Sequence, residues 1–231
     1  MIKIITKEKS KIFIIIPAFN EAKTIGKLLT ELKKAGYKNL VVIDDDSRDN
    51  TGQIAQKLGA TVLTHIINRG LGGALRTGFA YAIAKKANII ITMDADLQHR
   101  IENIPNLVKP ILDGKADVVI GKRKFSSQKM PVKRKIANQV GNIFTQAFFG
   151  FRVADSQSGF RCFSGSALKK LKLYSNRMEI SSEIIAEIHR NQLRFSEVPI
   201  TTIYTKYSLS KGQSFKNGIK TLLRLIAVRL R

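Results

Sequence analysis

The apolar positions of this chain fall in short unbroken runs separated by polar turns. Ile12 to Ile16 is such a run, and Leu40 to Ile43, Thr61 to Ile66, Ile89 to Met93 and Asp117 to Ile120 follow. Runs of this length predict strands covered on both faces, as in a parallel sheet. Between them the period becomes helical. Ile25, Leu28, Leu29 and Leu32 share one face of a helix predicted over about Ala22 to Ala35 and ended by Gly36. Further helices are predicted through Ile54, Ala55 and Leu58 to Gly59, from the Asn68–Gly78 stretch to Lys86, and over Ile104 to Leu112. Strict alternation of strand and helix predicts an α/β domain with a mostly parallel central sheet flanked by helices.

The second half is less regular. Pro131 to Phe149 fits a helix with Val132, Ile136, Val140, Ile143, Phe144 and Ala147 on one side, and Lys133, Arg134 and Lys135 at its start. Asp155 to Arg161 reads as a polar loop containing Gly159. Glu179 to Arg190 reads as helix, Phe195 to Tyr204 as a strand bent at Pro199, and residues 206–215 as a polar connection. In Asn217 to Arg231, Ile219, Leu222, Leu223, Ile226 and Leu230 fall on one helical face, with Lys220, Arg224 and Arg231 on its flank. Such a basic amphipathic helix suits either a membrane interface or the surface of its own domain.

Charge changes the picture most. Forty Lys and Arg against 17 Asp and Glu give +23, a surface that attracts polyanions such as nucleic acid, anionic headgroups or phosphorylated substrates. Cys162 is the only cysteine, which excludes an internal disulfide and fits a reducing compartment. No run of 18 apolar residues is present to span a bilayer, and Met1 to Lys7 lacks the core of a signal peptide.

Against that basic background, two predicted strands end in acid. Asp44-Asp45-Asp46 follows the second, and Asp94-Ala95-Asp96 follows the run of isoleucines. Open α/β sheets bind ligands at the carboxyl ends of their strands. Asp44 and Asp45 there can accept hydrogen bonds from a nucleobase or ribose, while carboxylates at i and i+2 in a turn can converge on one hard cation. Arg123, Arg134, Arg161 and Lys211 follow later in the chain, and arginine suits bidentate binding of phosphate. Carboxylates, a cation and arginines around one crevice point to an enzyme acting on a diphosphate.

Four segments occur in order at suitable spacing: Pro17-Ala18-Phe19-Asn20-Glu21, Asp44 to Thr51, Asn68 to Gly78, and Met93-Asp94-Ala95-Asp96-Leu97-Gln98-His99. Together they resemble the inverting family-two glycosyltransferases of the Rossmann-like GT-A fold. The Asp94–His99 segment and Ser158-Gly159-Phe160-Arg161 are similar to those of dolichol-phosphate mannose synthase and the polyprenyl-phosphate glycosyltransferases. The resemblance covers residues 10–215. It implies a single catalytic domain over residues 1–215, followed at 216–231 by the basic amphipathic helix that suits a membrane interface or the domain's own surface.

The same resemblance implies that Pro17, Ala18, Phe19, Glu21, Asp44, Asp45, Asp94 and Ala95 hold a nucleotide sugar. Asp94, Asp96 and Gln98 would hold Mg²⁺ or Mn²⁺, and Arg123, Arg134, Arg161 and Lys211 would meet phosphates of donor or acceptor. Asp96, Arg123 and Asp155 are then the catalytic candidates. Three departures stand out: Asp46 replaces a usual glycine, Phe19 replaces a frequent tyrosine, and the match around Lys206 to Lys211 is loose.

The implied reaction is single-displacement transfer of a hexose to a dolichyl or other polyprenyl phosphate. Mannose from GDP-mannose is favoured, and a UDP-sugar with a polyprenyl-phosphate or glycan-hydroxyl acceptor is the alternative. A phosphate monoester has a second pKa of about 6, so it is a nucleophile near neutrality without a strong base. A hydroxyl acceptor would need one, and Asp155 is the best candidate. The expected location is cytoplasmic, peripheral to the cytoplasmic face of a membrane, with a tethering protein as a conceivable partner. A dinucleotide-dependent dehydrogenase is disfavoured because the first strand–helix turn, Pro17 to Glu21, has no glycine. A specific nucleic-acid binder would rest on charge alone and leaves the acid pairs unexplained.

Overall fold

The computed structural model describes residues 12–123 and 153–203. The helix predicted at Pro131 to Phe149, the amphipathic segment 217–231, Arg134 and Lys211 lie outside them. The described strands are β1 (Ile12–Ala18), β2 (Asn39–Asp44), β3 (Thr61–Thr64), β4 (Ile89–Thr92), β5 (Val118–Arg123), β6 (Arg161–Ser164) and β7 (Phe195–Ile200). The helices are α1 (Ile25–Lys34), α2 (Thr51–Lys57), α3 (Gly70–Ala84), α4 (Ile104–Leu112), the single turn α5 (Gly165–Leu168) and α6 (Ile180–Arg190).

The seven strands form one sheet in the order β3-β2-β1-β4-β6-β5-β7. Only β6 runs against the rest, pairing antiparallel with both β4 and β5. The alternating strands and helices of the first half are placed as their periodicity predicts. The chain winds outward from β1 through β2 to β3, then returns to lay β4 on the other side of β1. The carboxyl ends of β1 and β4 therefore flank a topological switch point, where such sheets form their ligand crevice.

Alternation along β1 divides the core. Ile14 and Ile16 face one layer with Leu28, Leu29 and Leu32 of α1 and with Leu107 and Val108 of α4. Ile15 faces the other layer, with Leu75 and Phe79 of α3 and Ile184, Ile185 and Ile188 of α6. All three isoleucines are fully buried, which explains why β1 reads as an unbroken apolar run.

Two differences from the sequence reading matter. The segment expected as a polar loop to Arg161 turns into strand at that residue, and a four-residue strand beginning with a charged group leaves little apolar signal. The third strand stops at Thr64 instead of Ile66, leaving Ile66 and Ile67 outside the sheet and exposed.

Helix α3 approaches β1 closely at Gly78. A Cβ added there would overlap Cγ2 of Ile15 and also come within 3.4 Å of Ile43. Gly78→Ala is therefore expected to destabilise the fold by about 1–3 kcal/mol, overriding alanine's better helix propensity. Urea unfolding would read this as a lower midpoint at unchanged slope; an equal or higher midpoint would mean that α3 shifts without cost.

Candidate active site

The site lies at the carboxyl ends of the parallel strands, and each wall is built by a local device. After β2 the chain turns sharply at Asp46, whose φ is 64°. The usual glycine is thus replaced by a residue whose short polar side chain tolerates the left-handed region better than most. Asp44 accepts from the Ser47 amide at 3.1 Å, and Gly52 leaves room beside its carboxylate, since a Cβ there would lie 2.5 Å from Oδ2.

Asp45 faces inward. Its carboxylate accepts from the backbone N–H groups of Arg69 at 2.8 Å and Gly70 at 2.7 Å, at the start of α3. His65 Nδ1 donates to it at 2.7 Å, while Nε2 meets the Thr77 hydroxyl at 2.9 Å. An anion at a helix N-terminus satisfies otherwise unpaired donors and the helix dipole. The structure thus gives Asp45, expected at the nucleotide, a load in holding α3 to β2. Glu21 is similarly engaged: its carboxylate accepts from Thr24 at 2.8 Å, and its amide donates to Thr51 at 2.8 Å. Pro17 and Ala18 end β1, with Ala18 in register with Asp44, and Phe19 beyond them is exposed.

The acidic turn after β4 carries Asp94 and Asp96, with Ala95 buried between them. Leu97 adopts φ 62°, an uncommon conformation for a bulky residue. Gln98 donates to the Asp96 carboxylate through its backbone N–H at 3.0 Å and through its side-chain amide. His99, given no role from sequence, donates through Nε2 to Asp94 Oδ2 at 3.2 Å and stacks on Phe160 with ring centroids 4.9 Å apart. Only its place five residues beyond Asp94, in the Met93–His99 segment, pointed to it. Burial pushes the Asp94 carboxyl up, but the His99 hydrogen bond and the nearby His99, Arg123 and Arg161 charges leave it below the ordinary value. Asp96 is raised, first by burial and then by the Asp94 charge beside it. One carboxylate is thus ready to be charged and its neighbour is penalised for it, a mismatch that a cation between them would remove.

Strand β6 delivers the other wall. Because it runs antiparallel, its first residue lies at the carboxyl ends of β4 and β5, with Arg161 in register with both Thr92 and Ile120. Arg161 is 2 % exposed and donates to the Ser156 carbonyl at 2.8 Å. Burial lowers its pKa to about 10, while Asp94 and Asp155 act in the opposite direction. Gly159 lies against Asp94; a Cβ there would sit 2.5 Å from its Oδ2. Asp155 is fully buried and held by a fork from Arg123, Nε at 2.7 Å to Oδ2 and a terminal guanidinium nitrogen at 2.6 Å to Oδ1. The Arg123 backbone amide adds a third bond, at 3.1 Å. Glu197 on β7, not anticipated from sequence, accepts the Ala154 and Asp155 amides and fixes that turn.

The predicted residues of the first half thus converge, and Arg123, Asp155 and Arg161 join them. The donor set suits a hard cation: two carboxylates, with no group of three or more His, Cys, Asp or Glu side chains placed to hold a metal among the described residues. An ion bound so sparsely keeps positions for water and diphosphate oxygens, as Mg²⁺ commonly does.

The family model described as glycosyl transferase family 2 matches residues 13–173. The chain belongs to this family. It is 35% identical over 241 residues to the UDP-N-acetylglucosamine–dolichyl-phosphate N-acetylglucosaminyltransferase of Methanococcus voltae, covering 95% of this chain and 96% of that one. Its identity to the undecaprenyl-phosphate mannosyltransferase of Micrococcus luteus is 29%, over 87% of each chain. Among solved structures it is similar to the glucosyl-3-phosphoglycerate synthase of Mycobacterium tuberculosis, with TM-score 0.76, 19% identity, and coverage of 96% of this chain and 80% of that one. That likeness establishes the GT-A fold. The protein is a family 2 glycosyltransferase.

Two outcomes test the acidic turn. In the metal-free protein Asp96→Asn is expected to raise thermal stability at neutral pH. The raised pKa means that the charged form costs stability above it, and this cost disappears as pH falls through it to the unfolded value, so the gain should fade with acid. Unfolding scans from about pH 4 to 8 read this directly, and a pH-independent gain would assign it to packing instead. Gly159→Ala should displace Asp94 and weaken nucleotide binding, measured with Mn²⁺ present, about tenfold or more, equivalent to at least about 1.4 kcal/mol, with the far-UV spectrum retained. Unchanged calorimetric affinity would show that the turn can yield.

Proposed function

We propose that the enzyme transfers a hexose or N-acetylhexosamine from a nucleotide sugar to a polyprenyl phosphate. The observation that carries the choice of acceptor is the state of Asp155. A hydroxyl acceptor needs a base, and the expected base is fully buried with both oxygens bonded to Arg123. A phosphate acceptor, with a second pKa of about 6, arrives already deprotonated near neutrality. Asp155 then serves as a positioning residue for Arg123. The dolichyl-phosphate and undecaprenyl-phosphate transferases of Methanococcus voltae and Micrococcus luteus support the same acceptor class.

In this reading the nucleotide lies over the ends of β1 and β2, bordered by Phe19 and Asp44. Asp94 and Asp96 would hold Mg²⁺ or Mn²⁺, with Gln98 orienting Asp96 and His99 orienting Asp94. The ion supplies Lewis-acid neutralisation of the leaving diphosphate. Arg123 contributes fixed positive charge where acceptor and donor phosphates meet, preorganised by Asp155 so that little reorganisation is needed during transfer. Arg134 and Lys211 complete the phosphate set by resemblance. Arg161, being buried, acts through Asp94 and Asp155 and not by direct contact with phosphate. UDP-N-acetylglucosamine is the donor favoured by the 35%-identical relative, and GDP-mannose is the second candidate.

The test is transfer of radiolabel from each donor, with Mg²⁺ or Mn²⁺, to a short-chain polyprenyl phosphate or to free sugar hydroxyls. Lipid-phase product is expected from one donor only, with the phosphate acceptor. Asp94→Asn combined with Asp96→Asn should reduce it at least about 100-fold, the loss of several kcal/mol of charge stabilisation. Arg123→Ala and Asp155→Asn should each slow turnover, and together no more than the worse single change, because they act as one unit. Product formed only with a hydroxyl acceptor, and abolished by Asp155→Asn but not Arg123→Ala, would overturn the phosphate reading.

A further inference from the structure

We infer that the β3–α3 turn, Ile66-Ile67, inserts into the surface of an anionic lipid bilayer and sets the mouth of the site against it. Ile66 is 95% exposed and Ile67 69%. Isolated exposed apolar residues are ordinary, but two adjacent branched side chains at such exposure are costly to leave in water. Nor can the turn fold back to bury them. The residues on either side are tied to the rim: the His65 amide donates to the Asp44 carbonyl at 2.9 Å, and the Asn68 side chain donates to the Asp45 carbonyl at 3.0 Å. The dyad is thus fixed at the same pole of the sheet as the acidic turns.

Its surroundings match a lipid interface. Arg48 and Arg69 are exposed at this pole, and the chain as a whole carries +23, which favours anionic headgroups. Tyr174, exposed and of the ring type enriched at such interfaces, sits on a segment strapped to the start of α3 by the Arg76–Tyr174 bond at 2.9 Å and the Gly73–Asn176 bond at 2.9 Å. Asp49, on the same rim, is turned onto the Ala22 and Thr51 amides. Apolar tips with arginine and tyrosine exposed at the same pole suit a shallow insertion. The inference deepens the proposed transfer to a lipid-borne phosphate and rests on it for purpose, but the docking can be measured without donor or acceptor.

The chain contains no tryptophan, so single replacements report cleanly. Ile66→Trp and Ile67→Trp would be titrated with phosphatidylcholine vesicles containing or lacking phosphatidylglycerol. A control, Leu112→Trp, places the reporter at the opposite pole, where α4 leads into the amino end of β5. We expect a blue shift and quenching by bromine-labelled lipid at positions 66 and 67, with anionic vesicles only, and neither at 112. The double change Ile66→Ser with Ile67→Ser should lower vesicle partitioning about tenfold, with nucleotide-dependent thermal stabilisation unchanged. Vesicle binding with no spectral change at 66 and 67 would overturn the inference. So would a concentration-dependent blue shift without lipid, which would assign the dyad to self-association. Either failure, alongside intact transfer to a short-chain acceptor, would leave the catalytic reading standing.

Discussion

The arrangement depends on a guanidinium buried where a sheet ends. Arg161 has almost no access to water, and a charge so placed is tolerated only among opposite charges. Asp94 and Asp155 supply them, one from the end of β4 and one from the turn preceding β6. Asp155 in turn engages Arg123 at the end of β5, which extends the alternation of charge across three strands. The site is therefore one electrostatic unit, with Asp94 and Asp155 balanced by Arg161 and Arg123. Removing Arg161 would take away a positive charge that acts with both Asp94 and Asp155.

The second support is steric. Helix α3 starts where it does because Asp45 captures its first amides, and it lies close because Gly78 offers β1 no side chain. The same helix receives the segment at Ser175 and Asn176 against Gly70 and Gly72, where a Cβ would meet backbone. Two buried glutamates of α6 hold that segment from behind, Glu183 on the Tyr174 and Ser175 amides and Glu187 on that of Lys172. The glycine-rich stretch thus serves packing between the halves of the domain.

Much of this was legible in the sequence, for identifiable reasons. The isoleucine runs of β1 and β4 are buried on both faces, so composition alone marks them as strands. The acids that follow β2 and β4 lie at one pole because parallel strands put every carboxyl end on one side. What was not legible depended on pairing between distant segments. Strand β6 is four residues beginning with arginine, and only its insertion between β4 and β5 makes it a strand. His99, Gly159 and Glu197 acquire their roles from what lies across from them. Asp45 and Asp155 lie at the same pole of the sheet as the acidic turn, but periodicity could not show that one holds the start of a helix and the other pairs with an arginine.

The reversed strand has a consequence for how the two halves of the chain can be exchanged. Domains built from successive strand–helix units are often divisible, since each unit brings its own loop to the rim. Here Asp94, contributed by the first half, is packed against Gly159 and balanced by Arg161, both from the second. A hybrid enzyme joined between β4 and β6 would pair an acidic turn from one ancestor with a wall selected against another. The heritable module is therefore not the amino-terminal half but that half together with the short passage from Asp155 to Ser164, wherever in the chain a crossover falls.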